Sequence, residues 1–378
     1  MRETVKETSA WVSADLVIPL PNAKTWSPDS PFLYDMSVQL LDDSGAVLDT
    51  VGSYFGMRSV ALGKDSTGIP CLFLNGEPLL LPGALDQGFW PDGVYLAPTD
   101  EALRFDIEWA KKLGFNTLRK HVKVESARWY YHADKLGILV FQDMPTGGSG
   151  DPSTDRPACP EAADQWKTEI SHLIENNISH PSIVCWTMFN EGFGGFDYLK
   201  NVAWAKKLDP SRLACESSGF PWHGGGDVRD SHGSPPDDSG RLYIHSEANS
   251  ASLGVAGHMY PHAWTYRSYD PATGQEMDFL TYYWAHRDTA ILPTVTPAAK
   301  EWLTKQVSQR FIDAPYCLQP EKSQGVRGVF YCQLVDVETE CNGLMSYDRA
   351  VPKVDAEKIA AALKTLPKLR RAPRANST

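Results

Sequence analysis

Two glutamates, far apart in the chain, each follow a short apolar stretch that has the pattern of a buried strand. The segment HPSIVCWTMFNEG runs from His180 into Asn190 and Glu191, and the segment RLYIHSE ends on Glu247. Burial penalises the charged form of a carboxyl and raises its pKa, so that it can donate a proton near neutral pH. One carboxyl that protonates a leaving oxygen, and a second that attacks or activates water, are the minimum equipment for glycoside hydrolysis. The alternative for Asn190 and Glu191 is that they cap the helix that follows.

Other acids also end candidate strands, and their spacing alone does not choose among them. These are Asp143 after ILVFQ, Asp230, Asp336, and Glu216 in ACESSG. Glu216 would replace Glu247 only if the strands were counted differently, and Asp143 could equally cap a helix. No strand carries an HxH pair or another tight ligand cluster, so no metal and no cofactor are predicted. A metal-dependent hydrolase remains the alternative.

The strands that carry these acids alternate with amphipathic helical segments from about residue 79 onward. The helix TDEALRFDIEWAKKLG, for example, begins after Thr99 as a plausible N-cap and stops at Gly114. Eight candidate strands in roughly 285 residues predict a (β/α)8 barrel, in which Glu191 ends strand four and Glu247 ends strand seven. Because the carboxyl ends of barrel strands share one face, both glutamates would lie there. Little helix separates the three strands between 213 and 247, so a less regular α/β sheet stays open.

The first 62 residues have a different pattern, typical of a β-sandwich. LYDMSVQLLD alternates between apolar and polar residues, DDSG is a turn, and AVLDTVGSYFGMRSVAL resumes the extended pattern. The predicted domains are a partial sandwich at 1–62, the barrel at 70–366 and a disordered tail at 367–378. The few strands of such a partial sandwich would leave an unpaired edge, which favours self-association.

Composition excludes several classes of partner. The net charge is -11, and the only basic cluster is the C-terminal KLRRAPR, so neither nucleic acid nor a membrane surface is an expected partner. The seven cysteines are scattered and never spaced as CxxC, which argues against a disulfide framework or a zinc site. The N-terminal MRETVKETSAW has no apolar signal core. We therefore expect a cytoplasmic protein, unless a leader has been lost from the N-terminus.

Several longer motifs, in a fixed order, resemble glycoside hydrolase family 2, the β-galactosidase, β-glucuronidase and β-mannosidase group. They are WSPDSPFLYDMSVQL, FGMRSV, FLNGEPLLLPG, LGFNTLRKH, DKLGILVFQDMP, HPSIVCWTMFNEG and DVETECNGLMSYDR. The resemblance implies a (β/α)8 TIM barrel preceded by the second half of an immunoglobulin-like domain. It also implies that the family's sugar-binding domain is missing ahead of this sequence.

The resemblance further implies the role of four residues. Glu191 would be the acid/base, Asn190 would contact the sugar 2-hydroxyl, Glu247 would be the nucleophile, and Arg119 would hold that nucleophile. The implied mechanism is retaining double displacement. It requires carboxyl groups about 5 to 5.5 Å apart, whereas an inverting enzyme separates them by about 6.5 to 9.5 Å.

Six further residues are predicted to bind substrate: His121, Asp143, Asp230, His232, Trp264 and Trp284. His121 stands one place earlier than the histidine of galactosidases and glucuronidases, and shares a face with Arg119 only if no bulge intervenes. The two tryptophans would stack on a sugar ring. Three other tryptophans lie in helical patterns and are expected in the core: Trp109, Trp129 and Trp204.

The expected function is that of a retaining exo-β-glycosidase that removes terminal β-linked sugars, most like a β-galactosidase. The alternatives are a carbohydrate-binding barrel without catalysis, or an inactive fragment of a longer enzyme. The sequence does not identify the sugar, since readers of galactose, glucuronic acid, mannose and arabinose differ in a few loop residues.

Overall fold

The computed structural model describes most of the chain. The described residues are 18–147, 160–236, 239–248, 252–260, 294–338 and 340–372, together with the backbone of short strands at 267–269, 276–278 and 289–292. Trp264 and Trp284, predicted to stack on sugar, lie outside the described residues.

Two small antiparallel sheets come first. Strands β1 (Tyr34–Leu41) and β2 (Val47–Phe55) form a two-stranded sheet, and β3 (Val60–Lys64), β4 (Pro70–Leu74) and β5 (Glu77–Leu79) form a three-stranded one. Asn75 and Gly76 join β4 to β5 with φ of 52° and 75°. Positive φ at both central residues is the type I′ geometry that matches the twist of a tight hairpin.

Eight parallel strands then close into a barrel in chain order, as predicted: β6 (Leu81–Asp86), β7 (Thr117–Lys120), β8 (Leu139–Asp143), β9 (Ile183–Thr187), β10 (Leu213–Cys215), β11 (Val228–Asp230), β12 (Leu242–Ala248) and β17 (Val326–Tyr331). The eighth strand pairs with both the seventh and the first, which excludes the alternative of an open sheet. Four short strands lie between the seventh and eighth: β13 (Ser252–Val255), β14 (Arg267–Tyr269), β15 (Glu276–Asp278) and β16 (Thr289–Leu292).

Helices surround most of the barrel: α1 (Asp100–Lys112), α2 (Ala127–Leu136), α3 (Pro160–Asn177), α4 (Tyr198–Leu208), α5 (Pro297–Ile312), α6 (Pro320–Ser323) and α7 (Ala356–Leu363). Thr99 caps α1, since its hydroxyl oxygen accepts the Ala102 amide hydrogen at 3.1 Å. The described residues between β10 and β12 contain no helix, as the sequence indicated. The barrel nevertheless closes across these strands. None of the helices in the described part is long and apolar enough to cross a membrane.

Two apolar clusters hold these layers together. One fills the barrel interior and includes Phe141, Val184 and Ile244, with Leu72 and Trp26 from the preceding segments packed against it. The other lies between the strands and the helices and contains Trp109 and Trp129, as predicted, with Trp204 partly buried at its margin. Each fully buried side chain of this size contributes about 1.5 to 3 kcal/mol, so the core fixes the strand ends firmly.

The β1–β2 hairpin is attached to the barrel through buried polar contacts. The Tyr54 hydroxyl donates to Asp134 Oδ2 at 2.8 Å, and His180 Nδ1 lies 2.6 Å from the same oxygen. The Trp26 indole N–H donates to the carbonyl of Asp134 at 2.7 Å. The outer part of the hairpin is exposed, including Leu40 and Leu48.

The C-terminal segment predicted to be disordered from residue 367 is placed as far as residue 372. The Ser66 amide donates to the Arg370 carbonyl at 2.8 Å, and Arg371 Nη2 lies 2.8 Å from Glu77 Oε1. These contacts hold the segment against the three-stranded sheet. The sequence did not reveal them, because a basic run with a single large apolar residue, Leu369, resembles a solvated tail.

Candidate active site

Arg119 lies at the centre of the carboxyl face of the barrel. Its Nη1 donates to Glu247 Oε1 at 2.9 Å and to Ser246 Oγ at 3.0 Å. Its Nη2 donates to Asp143 Oδ2 at 2.8 Å and to Asn190 Oδ1 at 2.6 Å, and its Nε donates to Asp143 Oδ2 at 3.1 Å. A guanidinium has five N–H donors, so every donor of Arg119 is used to fix a side chain from another strand.

Glu247 is ionised at neutral pH. Burial alone would raise its pKa, but the charges of His232 and Arg119 outweigh burial and lower the pKa of Glu247 to about 2. His232 Nε2 lies 3.6 Å and His121 Nε2 lies 3.7 Å from its Oε1. Its side chain is 16% exposed, so substrate can reach an oxygen that the protein keeps charged.

Glu191 follows β9 in a strained backbone conformation. Its φ is 49°, a left-handed value that costs a residue with a Cβ about 1 kcal/mol or more. Its amide donates to the Ser218 carbonyl at 2.9 Å, and its Oε1 lies 3.1 Å from His232 Nδ1. The next helix begins at Tyr198 with Asp197 in the N-cap position, so Glu191 does not cap it.

The two glutamates and His232 converge on one point. One carboxylate oxygen of Glu191, one of Glu247 and one ring nitrogen of His232 lie within 4.8 Å of one another. Burial would lower the pKa of His232, but the charge of Glu247 and the hydrogen bond with Glu191 raise it above its usual value. The raised pKa of His232 favours its protonated ring, and a protonated imidazole cannot ligate a metal.

His121 presents unused polar atoms to the site. Both of its ring nitrogens are buried without a hydrogen-bond partner among the described residues. Burial and the charge of Arg119 lower the pKa of His121, so the ring is neutral and can both donate and accept. Buried polar atoms in native proteins are normally paired, which makes a ligand hydroxyl a natural partner for this side chain.

Two acids predicted to bind substrate have protein partners instead. Asp143 is 1% exposed, and its oxygens accept hydrogen bonds from Arg119 and from the Val122 amide. Asp230 is 2% exposed, and its Oδ1 accepts the Ser246 amide hydrogen at 3.1 Å. Burial raises the pKa of Asp230. Both acids lie under the site, where they position Arg119 and Ser246.

The rival acids are placed elsewhere. Glu216 is completely buried, and its two oxygens accept backbone hydrogens from His223 and, at 2.7 Å, from Gly225. Asp336 accepts from the Lys353 ammonium at 2.6 Å and from an amide hydrogen of its own loop at 2.8 Å. Neither acid is among the partners of Arg119.

Three residues near the site could not be recognised from the sequence: Ser218, Ser246 and Glu340. Ser218 Oγ lies 2.9 Å from His232 Nε2 and 2.8 Å from Ser246 Oγ, which completes a chain from the histidine to Arg119. Glu340 follows β17, within the motif DVETECNG. Serines are common in loops, and the motif does not reveal which of its three acids faces inward.

Comparison with protein families matches two parts of the chain. The barrel model described as Glycosyl hydrolases family 2, TIM barrel domain, matches residues 72–224, and the model described as Glycosyl hydrolases family 2 matches residues 2–58. The first match contains Glu191 and ends before Glu247. The evidence for Glu247 therefore rests on the geometry described above.

Curated relatives carry two kinds of name. A putative β-glucuronidase of Formosa agariphila is 33% identical over 218 residues, which are 57% of this chain and 20% of that protein. A β-galactosidase of Vibrio vulnificus is 29% identical over 194 residues, 51% of this chain and 18% of that protein. The matched part therefore spans about a fifth of the length of these relatives.

Solved structures share the fold at low identity. A family 2 β-galacturonidase from Eisenbergiella tayi superposes with a TM-score of 0.65 at 18% identity, covering 95% of this chain and 62% of that one. Bacteroides uniformis β-glucuronidase 2 gives a TM-score of 0.63 at 19% identity, covering 95% and 44%. These likenesses establish the fold, a barrel preceded by part of an immunoglobulin-like sandwich.

Proposed function

The chain belongs to family 2 of the glycosyl hydrolases, and from this premise we propose that it is a retaining exo-β-glycosidase acting on terminal β-linked sugars. The observation that carries the proposal is the approach of Glu191 and Glu247, whose oxygens lie within 4.8 Å of each other at the ends of strands four and seven. This limit on the nearest oxygens fits the carboxyl separation of about 5 to 5.5 Å in retaining glycosidases better than the 6.5 to 9.5 Å of inverting ones.

In the first step, Glu247 attacks the anomeric carbon while the bond from that carbon to the leaving oxygen breaks. Its charge is available because the pKa of Glu247 is about 2. Glu191 gives its proton to the leaving oxygen, so that an alcohol departs and not an alkoxide. The product of this step is a glycosyl ester of Glu247.

In the second step, Glu191 takes a proton from water, and the water oxygen attacks the anomeric carbon. The ester bond breaks and returns the carboxylate to Glu247. His232 contacts both carboxyl groups. When Glu247 becomes an ester, His232 loses the charge that most raises its pKa, while its contact with Glu191 Oε1 at 3.1 Å still orients the carboxylate that takes the proton from water.

Two polar side chains complete the sugar site. Arg119 holds the Asn190 amide oxygen at 2.6 Å, which turns the Asn190 NH₂ group toward the site, where it can donate to a sugar hydroxyl. His121, with its unpaired nitrogens, can bind a second hydroxyl. Hydrogen bonds to the sugar that strengthen in the transition state contribute several kcal/mol to catalysis.

The test is a panel of nitrophenyl β-glycosides on the wild-type chain and on Glu191→Gln and Glu247→Gln. We expect nitrophenol release by the wild type, with a loss of at least about a hundredfold in each variant, since one acid or base group contributes about 10² to 10⁴. Glu338→Gln, an exposed acid outside the site, is the matched control and should retain full activity. Sugar binding without release from any glycoside would favour a binding barrel or an inactive fragment.

A further inference from the structure

The turn that carries Glu191 also presents an aromatic side chain to the site. It runs from Asn190 to Phe193, and the Phe193 amide donates to the Asn190 carbonyl at 2.9 Å. Its two central residues, Glu191 and Gly192, have φ of 49° and 76°, the type I′ geometry of a two-residue hairpin. Asn190 and Phe193 are antiparallel partners across this turn, and the side chains of such a pair project from one face with Cβ atoms about 4.5 to 5.5 Å apart. Because Asn190 Oδ1 contacts Arg119, Phe193 projects toward the same site.

A second aromatic side chain, Phe220, lies on the loop that follows β10. The Ser218 carbonyl accepts both the Glu191 amide hydrogen at 2.9 Å and the Phe220 amide hydrogen at 3.0 Å, so both segments are tied to one oxygen. Gly219 packs so closely on His232 that a Cβ at this position would lie 2.7 Å from the ring carbon Cε1. Phe220, the next residue, therefore lies beside Glu191 and His232.

Hydrogen bonds hold the loop of Phe220 in place. The Ser217 hydroxyl donates to the Phe220 carbonyl at 3.1 Å. The completely buried Glu216 carboxylate accepts the amide hydrogens of His223 and, at 2.7 Å, of Gly225. Glu216, rejected above as a nucleophile, therefore fixes the loop that carries this aromatic side chain.

Exposure increases from the barrel axis to the solvent. Asn190 is 6% exposed, and the side chains of Glu247 and Glu191 are 16% and 20% exposed. Phe193 and Phe220 are 51% and 53% exposed. A sugar that contacts Asn190 and is attacked by Glu247 fills the buried part of this site. The group that leaves with the proton of Glu191 must then extend outward, where the two phenylalanines lie.

We propose that Phe193 and Phe220 form the leaving-group subsite, and that this subsite takes glycosides of aromatic or other apolar alcohols. The inference rests on the proposed function and names the class of leaving group. A phenyl side chain makes no conventional hydrogen bond, so a sugar in this position would lose water from its hydroxyls without gaining a partner from either phenylalanine. An aromatic leaving group instead removes its own apolar surface, and that of the two side chains, from water.

The test compares 2-phenylethyl and ethyl β-glycosides of the sugar that the nitrophenyl panel shows to be cleaved. Both leave as primary alcohols of similar acidity, so both need the Glu191 proton equally. We expect kcat/KM to favour the phenylethyl glycoside by at least about tenfold in the wild type. Phe193→Ala and Phe220→Ala should each reduce this ratio at least about threefold, whereas Phe193→Trp should preserve it. The control Ile178→Ala, an exposed apolar residue before β9 at the opposite rim, should leave the ratio unchanged.

The remaining outcomes separate this inference from the proposed function. A wild-type ratio near one would refute the apolar class while leaving the glycosidase function intact, and so would a higher kcat/KM for the disaccharide in which the 6-hydroxyl of glucose is the leaving group. A ratio that neither alanine variant changes would refute the role of the two phenylalanines.

If no glycoside is cleaved, the proposed function fails, and binding of phenylethyl and ethyl 1-thio-β-galactosides, measured as the shift in Tm, becomes the test. A larger shift with the phenylethyl compound that Phe193→Ala abolishes supports the subsite. Equal shifts, no shift, or a larger shift that the variant retains would overturn it.

Discussion

Removing the nucleophile and supplying an external anion would test the assignment of the two glutamates directly. In Glu247→Ala, azide can occupy the space of the lost carboxyl and attack the anomeric carbon, while Glu191 still protonates the leaving oxygen. The product is then the α-glycosyl azide, with inverted configuration. In Glu191→Ala, azide instead attacks the glycosyl ester of Glu247 from the side where water would enter. The product is then the β-glycosyl azide, with retained configuration.

The structure also predicts how strongly Glu247→Ala attracts azide. Arg119 Nη1 lies 2.9 Å, and His232 Nε2 lies 3.6 Å, from the oxygen that is removed. Two unit charges about 4 Å apart interact by about 4 kcal/mol at an effective dielectric constant of about 20. Even a third of this interaction energy corresponds to about a tenfold change in affinity. Adding His232→Gln to Glu247→Ala should therefore raise the half-saturating azide concentration at least about tenfold.

The assay follows nitrophenol release against azide concentration from about pH 5 to about pH 7, because Glu247→Ala removes the charge that most raises the pKa of His232 and the contribution of His232 should be largest at the acidic end. The anomer of the glycosyl azide is identified by NMR coupling constants. The β-azide from Glu247→Ala, or the α-azide from Glu191→Ala, would reverse the assignment. Equal half-saturating azide in the single and double variants would refute the electrostatic argument, since it would mean that His232 does not act on the position of Glu247.

Two further predictions concern stability and metal. Tyr54→Phe removes the 2.8 Å hydrogen bond to the buried Asp134 carboxylate and should lower the free energy of unfolding, measured by urea titration, by about 1.5 to 3 kcal/mol. The control Tyr34→Phe removes an exposed contact with the Lys24 amide and should have a much smaller effect. Equal effects of the two substitutions would contradict the attachment of the hairpin through Tyr54. Dialysis against EDTA should leave glycosidase activity unchanged, because Arg119 and His232 already contact the two catalytic carboxyl groups and offset their negative charge. If activity were lost and Zn²⁺ restored it, the metal-dependent alternative would be supported.

The sequence was sufficient to predict the barrel and the approach of Glu191 to Glu247. The reason is topological: parallel strands that close in chain order must bring their carboxyl ends to one rim, so a residue at a strand end is located without knowledge of its side chain. The strand count was correct through all eight strands. Glu191 could cap the following helix only if that helix began next to it, and the structure shows that the helix begins at Tyr198.

What could not be predicted is the direction in which each acid points. Asp143 and Asp230 end their strands as Glu247 does, yet they face protein donors below the rim. The register of β12 shifts against β17 between His245 and Ala248, and such an irregularity changes which side chain faces the pocket. The alternation of apolar and polar residues gives no sign of this register shift. It also does not show which acid of the motif DVETECNG faces the barrel.

Barrel closure supplies the cations that keep the buried nucleophile ionised. Arg119 and Glu247 are 128 residues apart in the chain, and in an unfolded chain the carboxyl of Glu247 would have its ordinary pKa of 4.5. In the barrel, burial would raise this pKa, but the charges of His232, just after strand six, and of Arg119, on strand two, lower it to about 2. A change that removes either cation while Glu247 stays buried should therefore raise the pKa of Glu247, and the acidic limb of the pH dependence of kcat/KM should move to higher pH.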